Sequence, residues 1–169
     1  MTFRELLKRY GTPANALGSL AELTRKRPLV PPSQSQIEDE ISATQEYGAC
    51  IIASCEPDYP TLLRAVDPPP PVLSVLGNTR HFEQDSLAIV GARNASAAGR
   101  KIARDMAESL GKAGYIIVSG MARGIDGEAH AASLETGTIA VLGGGVNHIY
   151  PPPARPSIRR TCQRWSDRF

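Results

Sequence analysis

"LAIVGARNASAAGRKIA" spans Leu87–Ala103. Apolar side chains run to Val90, a glycine follows, then small and polar residues, then apolar positions at helical spacing. The pattern predicts a strand over Leu87–Val90, a tight turn at Gly91 and a helix over Ala97–Ala113. The alternation repeats downstream: a strand over Tyr115–Ser119, a helix over Ile125–Thr136, a strand over Thr138–Leu142, then Gly143-Gly144-Gly145. Short apolar strands alternating with helices specify a parallel sheet built from βαβ units. Nearly every strand position is apolar, which predicts helices on both faces. In the first of these helices Ile102, Ala103, Met106, Ala107 and Leu110 form one stripe, predicted to face the sheet. Its charged side chains, Arg104 among them, read as a solvated face.

Ligands of an open α/β sheet bind at the carboxyl ends of the strands. Three loops occupy those ends: Gly91–Ser96, Ser119–Gly127 and Gly143–Gly145. Each carries glycine, so backbone N–H groups can point at an anion. The first departs from the dinucleotide fingerprint GxGxxG, because Arg93 stands where the second glycine belongs. No GxxxxGK[ST] occurs in the chain. Both departures count against a dinucleotide or a hydrolysed nucleotide. A guanidinium fork on an anion fits Arg93 better, with an ion pair to a nearby carboxylate as the alternative.

In the second loop Ser119 ends a strand, Gly120 and Gly124 free the backbone, and Arg123 supplies a second fork. Asp126 opens the following helix, where a carboxylate suits the dipole. His130 lies one turn on, so Asp126 is expected to hold it. A metal would need a third ligand, and Glu128 points elsewhere; no metal and no catalytic residue is expected. Gly91, Arg93, Ser96, Ser119, Gly120, Arg123, Gly124 and Gly143–Gly145 form the candidate phosphate site, with Asp126 and His130 in support.

Upstream, Phe3, Leu6, Leu7 and Tyr10 predict a helix stopped by Gly11. Thr12-Pro13 reads as N-cap and first position of a second helix, carried on by Ala14, Ala16, Leu17, Leu20 and Leu23. Ser33 or Ser35 caps a third, with Ile37, Ile41 and Thr44 on one face and Gly48 after it. This segment resembles a SAM-like or helix-hairpin-helix bundle. Ala49–Ala53 and Val72–Leu76 predict strands of one sheet, with one or two helical turns within Tyr59–Val66. Asp67-Pro68-Pro69-Pro70-Pro71 between them must be an irregular, rigid loop.

Net charge over 169 residues is +2. Residues 153–169 hold five Arg and one Asp, leaving 1–152 net negative. Bulk charge is therefore no argument for a nucleic-acid partner; local arginines must carry it. Three cysteines, without CxxC spacing, fit reduced thiols in a cytoplasm. No apolar run is long enough for a membrane span.

"IVGARNASAAGR", "YIIVSGMARGIDGEAH" and "TIAVLGGGVNHIYPP", in that order after "IIASCEPDYPTLLRAVDPPPPVLSVLGN", resemble the DNA processing protein A (DprA, or Smf) family. The match runs from about Gly48 to Pro152, and SGxARGID is its most specific piece. The resemblance implies a Rossmann-like parallel sheet, here extended and incomplete, preceded by the small helical segment. The expected layout is 1–47 helical, 48–152 Rossmann-like core, and 153–169 an unstructured basic tail.

The family implies single-stranded DNA binding without cofactor, protection of incoming DNA in natural transformation, and assistance in loading RecA recombinase. It also implies homodimers, through parts that lie mostly later in the family's chain. Its phosphate-binding arginine matches Arg93, and its loop glycines match Gly120, Gly124 and Gly143–Gly145. The alternative is a nucleotide-binding module or phosphoribohydrolase on a related scaffold, which should carry a PGGxGTxxE loop. Here Val146-Asn147-His148 follows the glycines instead. Residues 153–169 lack periodicity and read as an out-of-frame product of a GC-rich gene, with a linker or a genuine disordered basic tail as the alternative. A sheet halved in this way is expected to expose apolar surface and to be weakly stable.

Overall fold

The computed structural model describes residues 3–19 and 31–146. Leu20, Leu23, the Ile149–Pro152 motif and the 153–169 tail lie outside them. Packing divides the chain into two compact units, Met1–Leu73 and Ser74–Phe169. That division falls inside a strand, well past the compositional change at residue 48.

In the first unit, α1 (Phe3–Tyr10) ends where Gly11 takes φ +79° and its N–H donates to the Leu7 carbonyl. The glycine supplies the left-handed turn that ends a helix cheaply. In α2 (Pro13–Gly18) Thr12 is the N-cap, its hydroxyl accepting from Asn15 N–H, and proline holds the first position. Ser33 caps α3 (Gln34–Glu46) in a reciprocal capping box with Gln36. None of its residues is buried, so the Ile37–Ile41 face is open.

Strand β1 (Ala49–Ala53) pairs with β2 (Val72–Leu76). A single helical turn, α4 (Thr61–Arg64), and the proline loop connect them. The loop turns through a cis Asp67–Pro68 bond. Tyr59, fully buried, fastens this stretch by donating its hydroxyl to the Pro70 carbonyl.

The second unit holds the predicted alternation. β3 (Ser86–Ala88), α5 (Ala97–Lys112), β4 (Ile116–Ser119), α6 (Ile125–Ser133) and β5 (Thr138–Ala140) follow in order. The strands form one parallel sheet, β3-β4-β5, with Leu87 beside Ile117 and Val118 beside Ile139. Successive strands are added in one direction. Right-handed crossovers then bring α5 and α6 to the same face, where they pack on each other and on β4.

Among the described residues the two crossover helices share one face, where the sequence predicts helices on both. Ile117, Ala107 and Ala129 make the buried core between sheet and helices. Ile116, which alternates to the other side of β4 from Ile117, is also buried, at 2% exposed, while Val90 and Val141, past the ends of β3 and β5, stand 70% and 59% exposed. The helical stripe is corrected. Ala103, Ala107 and Gly111 are the buried positions of α5, while Ile102 and Met106 are 59% and 51% exposed. Small residues win the interface because they let the two helices approach closely. Arg104 is not merely solvated: its Nε donates to Glu128 Oε2 of α6 at 3.1 Å, and a terminal guanidinium nitrogen reaches the same oxygen.

Candidate phosphate-binding site

All three predicted loops sit at the carboxyl ends of β3, β4 and β5. Backbone contacts knit them together. Gly124, with φ +86°, leaves no room for a side chain: a Cβ there would lie 2.2 Å from the Ala92 carbonyl oxygen and 2.7 Å from that of Arg93. Ile125 N–H donates to the same Ala92 carbonyl at 3.3 Å. A Cβ on Gly120 would lie 3.9 Å from the Val141 carbonyl, and Val141 N–H donates to Ser119 O at 2.9 Å. The first loop thus abuts the second, and the second abuts the third.

Arg93 and Arg123 project from this junction. Gly124 follows Arg123 in the chain and packs on the Arg93 carbonyl, so the two arginines root on adjoining backbone. Both are exposed, and among the described residues neither makes an ion pair. The alternative of a local carboxylate partner for Arg93 is not what this structure holds. Ser96 caps α5, its Oγ accepting from Gly99 N–H at 3.1 Å, which leaves the hydroxyl proton free to donate outward. Gly143–Gly145 are exposed, and a Cβ on Gly143 would meet open space.

Three expectations change. Ser119 is 2% exposed and its hydroxyl donates to the Ile89 carbonyl at 2.6 Å, so it fastens β4 to the end of β3 and faces no ligand. The Gly91 and Gly120 amides are not free to meet an anion. Asp126 takes them: its Oδ1 accepts from Gly91 N–H at 3.2 Å, and its Oδ2 from Gly120 N–H at 3.2 Å and Ala122 N–H at 3.4 Å. Asp126 is thus the internal tie of the first two loops. Charge-assisted bonds of this kind offset the cost of burying a carboxylate.

His130 is not held by Asp126. Thr138 donates its hydroxyl to the Ile117 carbonyl at 2.7 Å, so its Oγ1 accepts from His130 Nδ1–H at 2.8 Å. The partners fix the tautomer, with Nε2 unprotonated and without a hydrogen-bond partner among the described residues. Burial holds the imidazole below its ordinary pKa of 6.5, against the opposing influence of the Asp126 charge and the Ser119 backbone. Below pH 6.5 the unfolded chain therefore takes up a proton that the folded chain refuses. Stability from neutral His130 is complete above that pH and falls as pH drops toward the lowered native value. Urea unfolding across this range should show the slope in the wild type and its loss in His130→Gln.

Sequence reasoning missed Met121, which adopts φ +57° and is buried between Gly120 and Ala122. This left-handed residue turns the chain so that both neighbouring N–H groups reach Asp126. No group of three or more His, Cys, Asp or Glu suited to a metal lies among the described residues.

Residues 50–165 match the family model for DNA recombination-mediator protein A, and residues 1–43 match that for the DprA-like N-terminal HHH domain. The chain belongs to the DNA processing protein A family. The family match runs past Pro152, where the motif-based resemblance ended. The chain is similar to protein Smf of Synechocystis, 44% identical over 106 residues, covering 59% of this chain and 27% of that protein. It is similar also to DNA processing protein DprA of Bacillus subtilis, 37% identical over 114 residues, covering 66% and 38%.

Among solved structures, DprA of Streptococcus pneumoniae superposes with a TM-score of 0.67 at 26% identity, covering 89% of this chain and 49% of that one. DNA processing protein A of Helicobacter pylori, described for its single-stranded DNA binding mode, superposes at 0.58 and 26% identity, covering 66% and 54%. The chain spans about half the length of these DprA structures or less, and a smaller share of the curated relatives. As in the DprA fold, a parallel α/β sheet follows a helical segment.

Proposed function

We propose that the chain grips the sugar–phosphate backbone of single-stranded DNA at the junction of its three strand-end loops. The observation that carries this is the pair Arg93 and Arg123: two exposed, unpaired guanidiniums on interlocked loops at the ligand-binding edge of the sheet. Forks of this kind suit successive phosphates and read no bases. Ser96 Oγ and the Gly143–Gly145 backbone supply further donors in this reading. Gly91, Gly120 and Gly124 contribute shape, with Asp126 tying two of them. The similarity to the Helicobacter pylori protein supports the same partner. Kinship with the family supports a cytoplasmic, non-enzymatic role in recombination and natural transformation, with RecA recombinase and a second copy of the chain as partners.

Oligo-dT binding measured across a salt series tests the DNA reading. The logarithm of the affinity should fall linearly with log salt, and removing one phosphate contact should flatten that slope by about 0.7. Arg93→Ala and Arg123→Ala should each weaken binding roughly tenfold, whatever the base sequence. Unchanged affinity in both variants would remove this junction from the interface.

A further inference from the structure

Asp126 does more than support two loops. The Gly91 and Gly120 amides follow adjacent parallel strands, and Ala122 lies just ahead of the α6 N-terminus. In open α/β sheets, amides so placed donate to the phosphate of a bound nucleotide. Here the acceptor is a carboxylate of the chain itself, 5% exposed, bonded at 3.2, 3.2 and 3.4 Å. A Cβ on Gly120 would stand 3.1 Å from Asp126 Oδ2, so the carboxylate fills the space in front of that amide. Ile125 closes the other side, since a Cβ on Gly91 would stand 2.7 Å from its Cγ1.

We propose that Asp126 is a resident anion occupying the phosphate subsite of this sheet. It determines specificity by exclusion. A free nucleotide finds the amides occupied by a like charge, while a strand backbone can still meet Arg93 and Arg123 outside. The selection of a strand over a nucleotide rests on the DNA reading, whereas the resident anion does not, and its test contains no DNA.

The test compares the full chain with Asp126→Ala by thermal unfolding in phosphate and in chloride at matched ionic strength. The substitution frees three amides and removes the competing charge. At millimolar concentration inorganic phosphate should stabilise the variant well beyond the small general salt effect that the wild type shares, corresponding to at least about tenfold tighter binding by the variant. Equal responses of the two proteins overturn the proposal. If the variant is unfolded in chloride, far-UV circular dichroism makes the same comparison: helix recovered by phosphate supports the proposal, and no recovery overturns it. Oligo-dT binding by the wild type is unaffected by either outcome, so the two readings fail separately.

Discussion

Gly124→Ala is expected to unfold the second unit, or bring it close to unfolding, at temperatures where the wild type is intact. Two effects add. The backbone at Gly124 has φ +86° and ψ −123°, a region that L side chains essentially do not occupy. The new Cβ would also stand 2.2 Å from Ala92 O, 2.7 Å from Arg93 O and 2.9 Å from the Arg93 carbonyl carbon. All three are backbone atoms, so no rotamer change relieves the clash. Ile125 N–H holds the same Ala92 carbonyl in place. Strain and overpacking together amount to about 3–5 kcal/mol, a large share of the stability of an ordinary domain.

Thermal unfolding should show a midpoint lowered by roughly 10 °C or more. Gly143→Ala is the matched control: its Cβ meets open space and its backbone is unstrained, so its midpoint should stay close to the wild type. A Gly124→Ala midpoint equal to that of the control would contradict the described loop packing. Because Gly124 also sets the junction from which Arg93 and Arg123 project, the variant should lose oligo-dT affinity even where it remains folded.

What the sequence made legible was local. Gly11, Thr12-Pro13 and Ser33, one of the two serines offered as a cap, mark helix ends through contacts within four residues, so their readings hold in three dimensions. The bounds of β1 and β2 follow from short apolar runs closed by turn residues. The order of strands and helices from Ser86 onward is likewise carried by alternation alone. The unread parts depend on what lies across the chain. Hydropathy ranks Ile102 and Met106 above Ala103 and Gly111, yet the smaller pair is the buried one, because close packing selects for size. Glycine-rich loops advertise free amides, but whether a carboxylate fills them depends on where Asp126 lands after Met121 turns the chain. His130 was assigned to the acid one helical turn away, and its partner came from a neighbouring strand. The arginines read as outward forks are exposed and in no ion pair among the described residues, since that reading asked for no internal partner.

The packing of α5 on the turn that follows α6 yields the second large effect. Gly111→Ala should be stabilising by intrinsic propensity, since alanine is favoured over glycine in a helix by about 1 kcal/mol. Here it should destabilise. A Cβ at Gly111 would lie 2.2 Å from Thr136 Oγ1, 2.9 Å from its Cβ and 3.3 Å from its Cγ2. Rotating Thr136 can move Oγ1 but not its Cβ, and that hydroxyl also donates to Ser133 O at 3.4 Å. The C-terminal end of α6 must therefore shift from α5, loosening the buried line Ala103–Ala107 and the contact of Ala129 with Ile117. Overpacking in such interfaces costs about 1–3 kcal/mol, enough to outweigh the propensity gain at most of that range. Chemical denaturation should show a lowered midpoint for Gly111→Ala. Adding Thr136→Gly should recover stability relative to that variant, because it removes every atom in the clash. A double-mutant cycle with no coupling between the two positions would show that the turn after α6 does not meet Gly111. The reverse sign, a stabilised Gly111→Ala, would mean that helix propensity alone governs this position and that the close approach of Thr136 to Gly111 is not present in solution.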